Sequence, residues 1–100
     1  MLPQFMSASN VFAPIFPLGD VVATPGIAAL IEDGLMVDLY LARHHAGDWG
    51  DVRTDDAQAN TDGLNAGDRL LSAYETPYGR IWIITEADRS STCVLLPDEY

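Results

Sequence analysis

Apolar and polar positions change period along this chain, and from residue 69 onward they fall into three short β-rich runs. Arg69–Thr76 reads RLLSAYET, Arg80–Glu86 reads RIWIITE, and Ser91–Leu96 reads STCVLL. β-branched and aromatic residues fill these runs, and turn residues separate them, which is the pattern of an antiparallel meander. Thr76-Pro77-Tyr78-Gly79 suits a type I turn, with proline preset at the second position and glycine free to take positive φ.

Upstream the period lengthens to that of helices. Thr24-Pro25 supplies an N-cap and a first-turn proline for a helix through Ile27, Ala28, Leu30 and Ile31, which Gly34 closes. A second helix is predicted from about Met36 to Ala46. Its stripe is Val37, Tyr40, Leu41 and His44, and Gly47 ends it. Thr54-Asp55-Asp56 opens a third, with carboxylates at the positive end of the helix dipole. Its apolar face is thin (Ala57, Ala59, Leu64), and it stops before Gly67. Val21-Val22-Ala23 could form a short edge strand. Residues 1–17 have no helical period and are broken by three prolines, so they read as an extended arm. Phe5, Phe12, Ile15 and Phe16 would lie over the core. The expected architecture is α+β: a single domain over 18–100, with two to three short helices on one face of a three-stranded antiparallel meander.

Charge narrows the partners. Fifteen acidic residues oppose five basic ones, all arginine, for a net charge of −10. Such a field keeps small proteins apart in solution, repels nucleic-acid phosphates and favours basic proteins. A basic protein surface is therefore the expected partner, without direct nucleic-acid contact. The candidate contact set is Asp48, Trp49, Asp51, Asp55, Asp56 and Asp62, whose carboxylates should then form one continuous face. Trp49 in its glycine-flanked loop is either an interface anchor or a plug under the sheet. An exposed strand face carrying Trp82 could support a homodimer. No run approaches the roughly 18–20 apolar residues of a membrane span. The N-terminal segment lacks the basic start of a signal peptide. The single Cys93 lies in a strand-like run and reads as a structural thiol in a reducing compartment.

Few motifs carry chemistry. Adjacent helical side chains point about 100° apart, so His44 and His45 cannot easily share one ion with Asp48 or Asp51, and no metal is expected. Residues 58–69 echo a calcium loop but place Gln58 and Arg69 where carboxylates are required. No glycine-rich phosphate loop, nucleophile elbow or Cys-x-x-Cys is present, and no cofactor is expected. One constellation remains: His44, Thr85, Glu86 and Arg89, with Ser72, Tyr74 and Thr92 nearby in the pattern. These groups could equip a metal-independent ribonuclease or toxin of the barnase–colicin–RelE type. His44 or Glu86 would be the base and Arg89 the phosphate ligand. That alternative requires the set to converge in a cleft. Otherwise Ser72 and Thr85 are pleat residues, and Glu86–Arg89 is a turn ion pair.

Several stretches also resemble a known family when taken together. They are Val21-Val22-Ala23-Thr24-Pro25-Gly26, then Arg43-His44 with Gly47-Asp48-Trp49-Gly50-Asp51, and Leu71-Ser72-Ala73-Tyr74. Ile84-Thr85-Glu86-Ala87-Asp88-Arg89-Ser90 follows, running on through Leu96-Pro97 to Tyr100. Over about Leu18–Tyr100 the chain resembles small proteins encoded on bacterial plasmids and integrative elements. These are labelled plasmid-related or type I restriction subunits. The resemblance implies a mobile-element origin and a bacterial cytoplasmic location, and it brings no activity with it. That context, taken with the charge of −10 and the absence of lysine, suggests an anti-defence role, of the anti-restriction or anti-CRISPR kind, in which acidic groups stand in for phosphates on a nucleic-acid-binding complex.

Overall fold

A computed structural model describes residues 13–100. Thr24 caps the first helix, α1 (Pro25–Asp33), its hydroxyl accepting from the Ile27 N–H, and Gly34 closes it at φ 120°. Helix α2 spans Val37–His45, and α3 spans Thr54–Ala66 up to Gly67. Strands β2 (Leu70–Thr76), β3 (Gly79–Thr85) and β4 (Ser91–Leu95) form the expected antiparallel meander.

The sheet nevertheless has four strands and is mixed, not three-stranded and antiparallel. Asp20–Ala23 forms β1, which runs parallel to β4 and gives the order β1-β4-β3-β2. A four-residue strand shows no alternation to read. Its partner residues lie far along the chain, Asp20 beside Ser91 and Ala23 beside Val94.

Register decides what the helices cover. Leu70 pairs Thr85, Ser72 pairs Ile83 and Tyr74 pairs Ile81, while Thr85 pairs Thr92 and Ile83 pairs Val94. Alternation puts these side chains on one face, and all are buried. Ile27, Leu35, Tyr74, Ile81, Ile83 and Val94 form the main core beneath α1 and α2. Phe16, Trp49 and Leu70 form a second core beneath α3, with Val52, Ala57 and Leu64. Phe16 thus ties the segment before residue 18 into the domain, whereas Ile15 is 52% exposed. Phe5 and Phe12 lie outside the described residues. On the sheet's other face Tyr100 packs edge-on to Trp82 at 5.7 Å. Together with Arg69, Leu71 and Ile84 they line a groove of about 290 Å³.

The β2 edge of the sheet is closed by side chains and a loop. Asn60 on α3 acts like a strand residue: its amide donates to Leu71 O at 2.6 Å and its carbonyl accepts from Leu71 N at 3.1 Å. Further along, Ala73 bonds Trp49 O and Asp51 N, and the Asp51 carboxylate accepts from Glu75 N. Gly50 sits at φ 73° in this loop, so close to β2 that a Cβ would collide with Ala73 O. Removing the amide in Asn60→Ala strips two backbone groups of their partners and is expected to cost about 2 kcal/mol. Urea denaturation should show a lower midpoint at unchanged slope.

Candidate functional site

His44 ends up where the two cores meet, with no exposed surface. The apolar stripe of α2 carries it onto the sheet, and Phe16 and Trp49 close edge-on against its ring at 5.3 and 5.7 Å. Nδ1 lies 2.5 Å from Ser72 Oγ and Nε2 lies 2.8 Å from Thr85 Oγ1. Thr85 Oγ1 is 2.7 Å from Thr92 Oγ1, and Thr92 donates to Leu18 O at 2.8 Å. Ser72, Thr85 and Thr92 are all fully buried.

The direction of every proton in this chain follows from its end. A carbonyl only accepts, so Thr92 uses its one hydrogen on Leu18 O. Thr85 must then donate to Thr92, and His44 Nε2–H must donate to Thr85. Nδ1 is left bare and accepts from Ser72. Burial keeps the imidazole neutral, and that neutrality leaves Nδ1 bare and fixes a single tautomer. Burial is the main reason its pKa falls from 6.5 to about 3, with His45 and Arg89 adding smaller pushes in the same sense.

A general base needs proton affinity and access to substrate, and His44 has neither. The other three members of the proposed set sit apart from an open cleft. Thr85 touches His44 but is itself sealed. Glu86 turns to Arg69, with Oε2 at 3.3 Å from Nη2, and not to Arg89. Arg89, at φ 60°, gives its guanidinium to four backbone carbonyls, those of Asp68, Glu86, Ala87 and Gly63. It pins the β3–β4 turn to the end of α3. Its donors face inward to those carbonyls and to Phe16, whose ring lies 5.9 Å away. Among the described residues, no three His, Cys, Asp or Glu side chains gather in a metal-binding arrangement.

The acidic contact set divides in two. Asp48 pairs with Arg43 at 2.7 Å, which draws its carboxyl below the usual range, and also accepts from Gly50 N. Asp51 holds the β2 edge through Glu75 N. Trp49 is 7% exposed and plugs the second core, its indole N–H directed at Thr61 Oγ1. On α3 the arrangement is different. Asp55, Asp56 and Asp62 are exposed, and Asp55 and Asp62 share one stripe. With Arg53, Thr54, Gln58 and Ala59 they line a shallow concavity. The set therefore does not form one continuous face: Asp55, Asp56 and Asp62 lie exposed on α3, Asp55 beside Arg53 at 3.3 Å, while Asp48 and Asp51 are engaged in the loop.

Two structural residues escaped the sequence reading. Asn60 lies three residues after Ala57 and four before Leu64, a polar member of the apolar stripe, and that placement was a usable signal. Glu99 accepts from Thr24 Oγ1, Gly26 N and Leu96 N, at 2.5, 2.9 and 2.8 Å, and so sits on the N-terminus of α1. It lies 75 residues from Thr24, beyond any local pattern.

The buried imidazole fixes a pH dependence. Unfolded, His44 takes up a proton near pH 6.5, and folded only near 3, so the unfolded state gains protons first. Stability is complete above pH 6.5 and falls toward pH 3, by up to about 1.4 kcal/mol per unit. Chemical denaturation at stepped pH should show that slope between 6.5 and 5. His44→Leu should be less stable at pH 7 and should lack the slope.

In comparison with known proteins, the chain matches no protein-family model, no curated protein and no solved structure.

Proposed function

We propose that this chain is a small acidic accessory protein of a bacterial mobile genetic element, acting in the cytoplasm through protein–protein contact. It docks on the basic surface of a nucleic-acid-binding defence complex, where its carboxylates take the place of phosphates. The observation that carries this reading is how the charges are paired. Arg43, Arg53, Arg69 and Arg80 each hold one carboxylate (Asp48, Asp55, Glu86 and Glu75), and Arg89 holds only carbonyls. Fifteen acidic residues less these four leave eleven without an arginine partner among the described residues. Most of the negative charge is therefore not neutralised by arginine, and on α3 the exposed Asp56 and Asp62 stand beside the Arg53–Asp55 pair. The sealed His44 speaks for binding over RNA cleavage.

The purified chain, immobilised and exposed to nuclease-treated bacterial lysate at low salt, should retain a basic protein and release it at high salt. Replacing Asp55, Asp56 and Asp62 by Asn removes three exposed charges worth about 0.5 kcal/mol each. Affinity for that protein should fall about tenfold with the fold intact by circular dichroism. No retention, or equal retention by the triple variant, would overturn the reading.

A further inference from the structure

The two edges of the sheet are treated oppositely. Asn60, the Trp49–Asp51 loop and the Asp51 carboxylate occupy the backbone groups along β2. Along β1 the ladder to β4 uses alternate residues: Asp20 N donates to Ser90 O at 3.0 Å and Thr24 N donates to Val94 O at 3.1 Å. Asp20, Val22 and Thr24 therefore turn inward, and Val21 and Ala23 turn their N–H and C=O groups away from the sheet. Among the described residues nothing bonds those four groups.

This edge has apolar side chains and an acidic frame. Val21 and Val22 are 47% and 51% exposed. Ile31, 41% exposed, follows Leu30 on α1, about 100° round the helix from that core-packed residue. Asp20 begins the strand, beside the turn that carries Asp88. Thr24 follows it, joined to Glu99, whose chain neighbour is Asp98. Arg43, Arg69 and Arg80 are held on α2, β2 and β3 by their acids, and Arg89 is turned toward α3. A second copy of the chain would bring acid against acid here. A basic segment would not.

We propose that β1 is a docking edge for an extended segment of another protein, with apolar residues at its centre and Lys or Arg at its ends. The segment adds to the sheet as a fifth strand. Its backbone meets the four outward groups of Val21 and Ala23, its alternate side chains pack on Val22 and on Val21 with Ile31, and its basic ends meet the acidic frame. This rests on the reading of the chain as an acidic docking module, yet it uses the opposite edge of the sheet from α3.

The probe is a short fluorescent peptide of alternating Val and Thr with Lys-Arg at each end, titrated into the full chain. Three controls accompany it: the same peptide with Glu ends, a version N-methylated on alternate residues, and the chain carrying Val21→Pro. Proline at position 21 removes the outward N–H together with the valine side chain, and an edge strand tolerates it. Binding should weaken about tenfold or more for each control. It should also weaken as salt rises, and the Val21 and Ala23 amides should gain protection from hydrogen exchange on binding. Equal binding of the N-methylated peptide or by Val21→Pro would overturn the proposal. So would amides already protected in the free chain, which would place residues 1–12 on the edge, or amides protected only at high chain concentration, which would place a second copy there. Should the Asp55/Asp56/Asp62 variant lose a basic protein that Val21→Pro still binds, the acidic module stands and the docking edge falls.

Discussion

One imidazole placed in the dry middle of a small protein constrains much of what surrounds it. His44 has two ring nitrogens to satisfy and no surface open to solvent, and an unmet partner there costs several kcal/mol. Ser72 and Thr85 supply the partners from neighbouring strands, and Thr92 and Leu18 complete the chain of bonds across the sheet. A slip of one residue between β2 and β3 would turn Ser72 or Thr85 to the other face and strand the ring. The polar seam thus fixes register where valines and isoleucines alone would tolerate alternatives. It also separates the two apolar cores, one under α1 and α2 and the other under α3.

Satisfaction of polar groups continues to the margins. Asn60 imitates a neighbouring strand, Arg89 gathers carbonyls from a turn and a helix end, and Glu99 holds the first N–H of α1, that of Gly26. Each is a long side chain doing what backbone does elsewhere. A sheet of only four short strands has too little ladder of its own, and side chains finish it. The exception is β1, whose outward backbone groups have no partner among the described residues.

Local chemistry made much of this legible in the sequence. The Thr24-Pro25 start and Gly34 stop of α1, the stripe that buries His44, and the three runs of the meander all depend on neighbours within a few residues. What was not legible depends on distance. The parallel pairing of Asp20 with Ser91 gives no local sign, so the sheet read as three strands. His44, Glu86 and Arg89 looked like acid–base chemistry because their residue types suit it. Their roles are set by what lies across the fold: two hydroxyls, Arg69 and four carbonyls. Asp48 and Asp51 looked equivalent to Asp55, Asp56 and Asp62, and only the loop's approach to β2 separates them.

The parallel pairing also sets an order of events as the chain is made. β1 has no partner until β4 exists, and Asp20 and Ser91 stand 71 positions apart, 91 less 20. At the usual ~5–20 residues per second, translation leaves β1 alone for several seconds. Helix α3 and the β2–β3 hairpin rest on nearer contacts and can form in that interval, whereas α1 packs on β4 and waits for it. Long-range pairing of this kind slows folding, and here it falls on the final step. The nascent chain therefore holds an apolar, unpaired strand in solution well before its sheet can close.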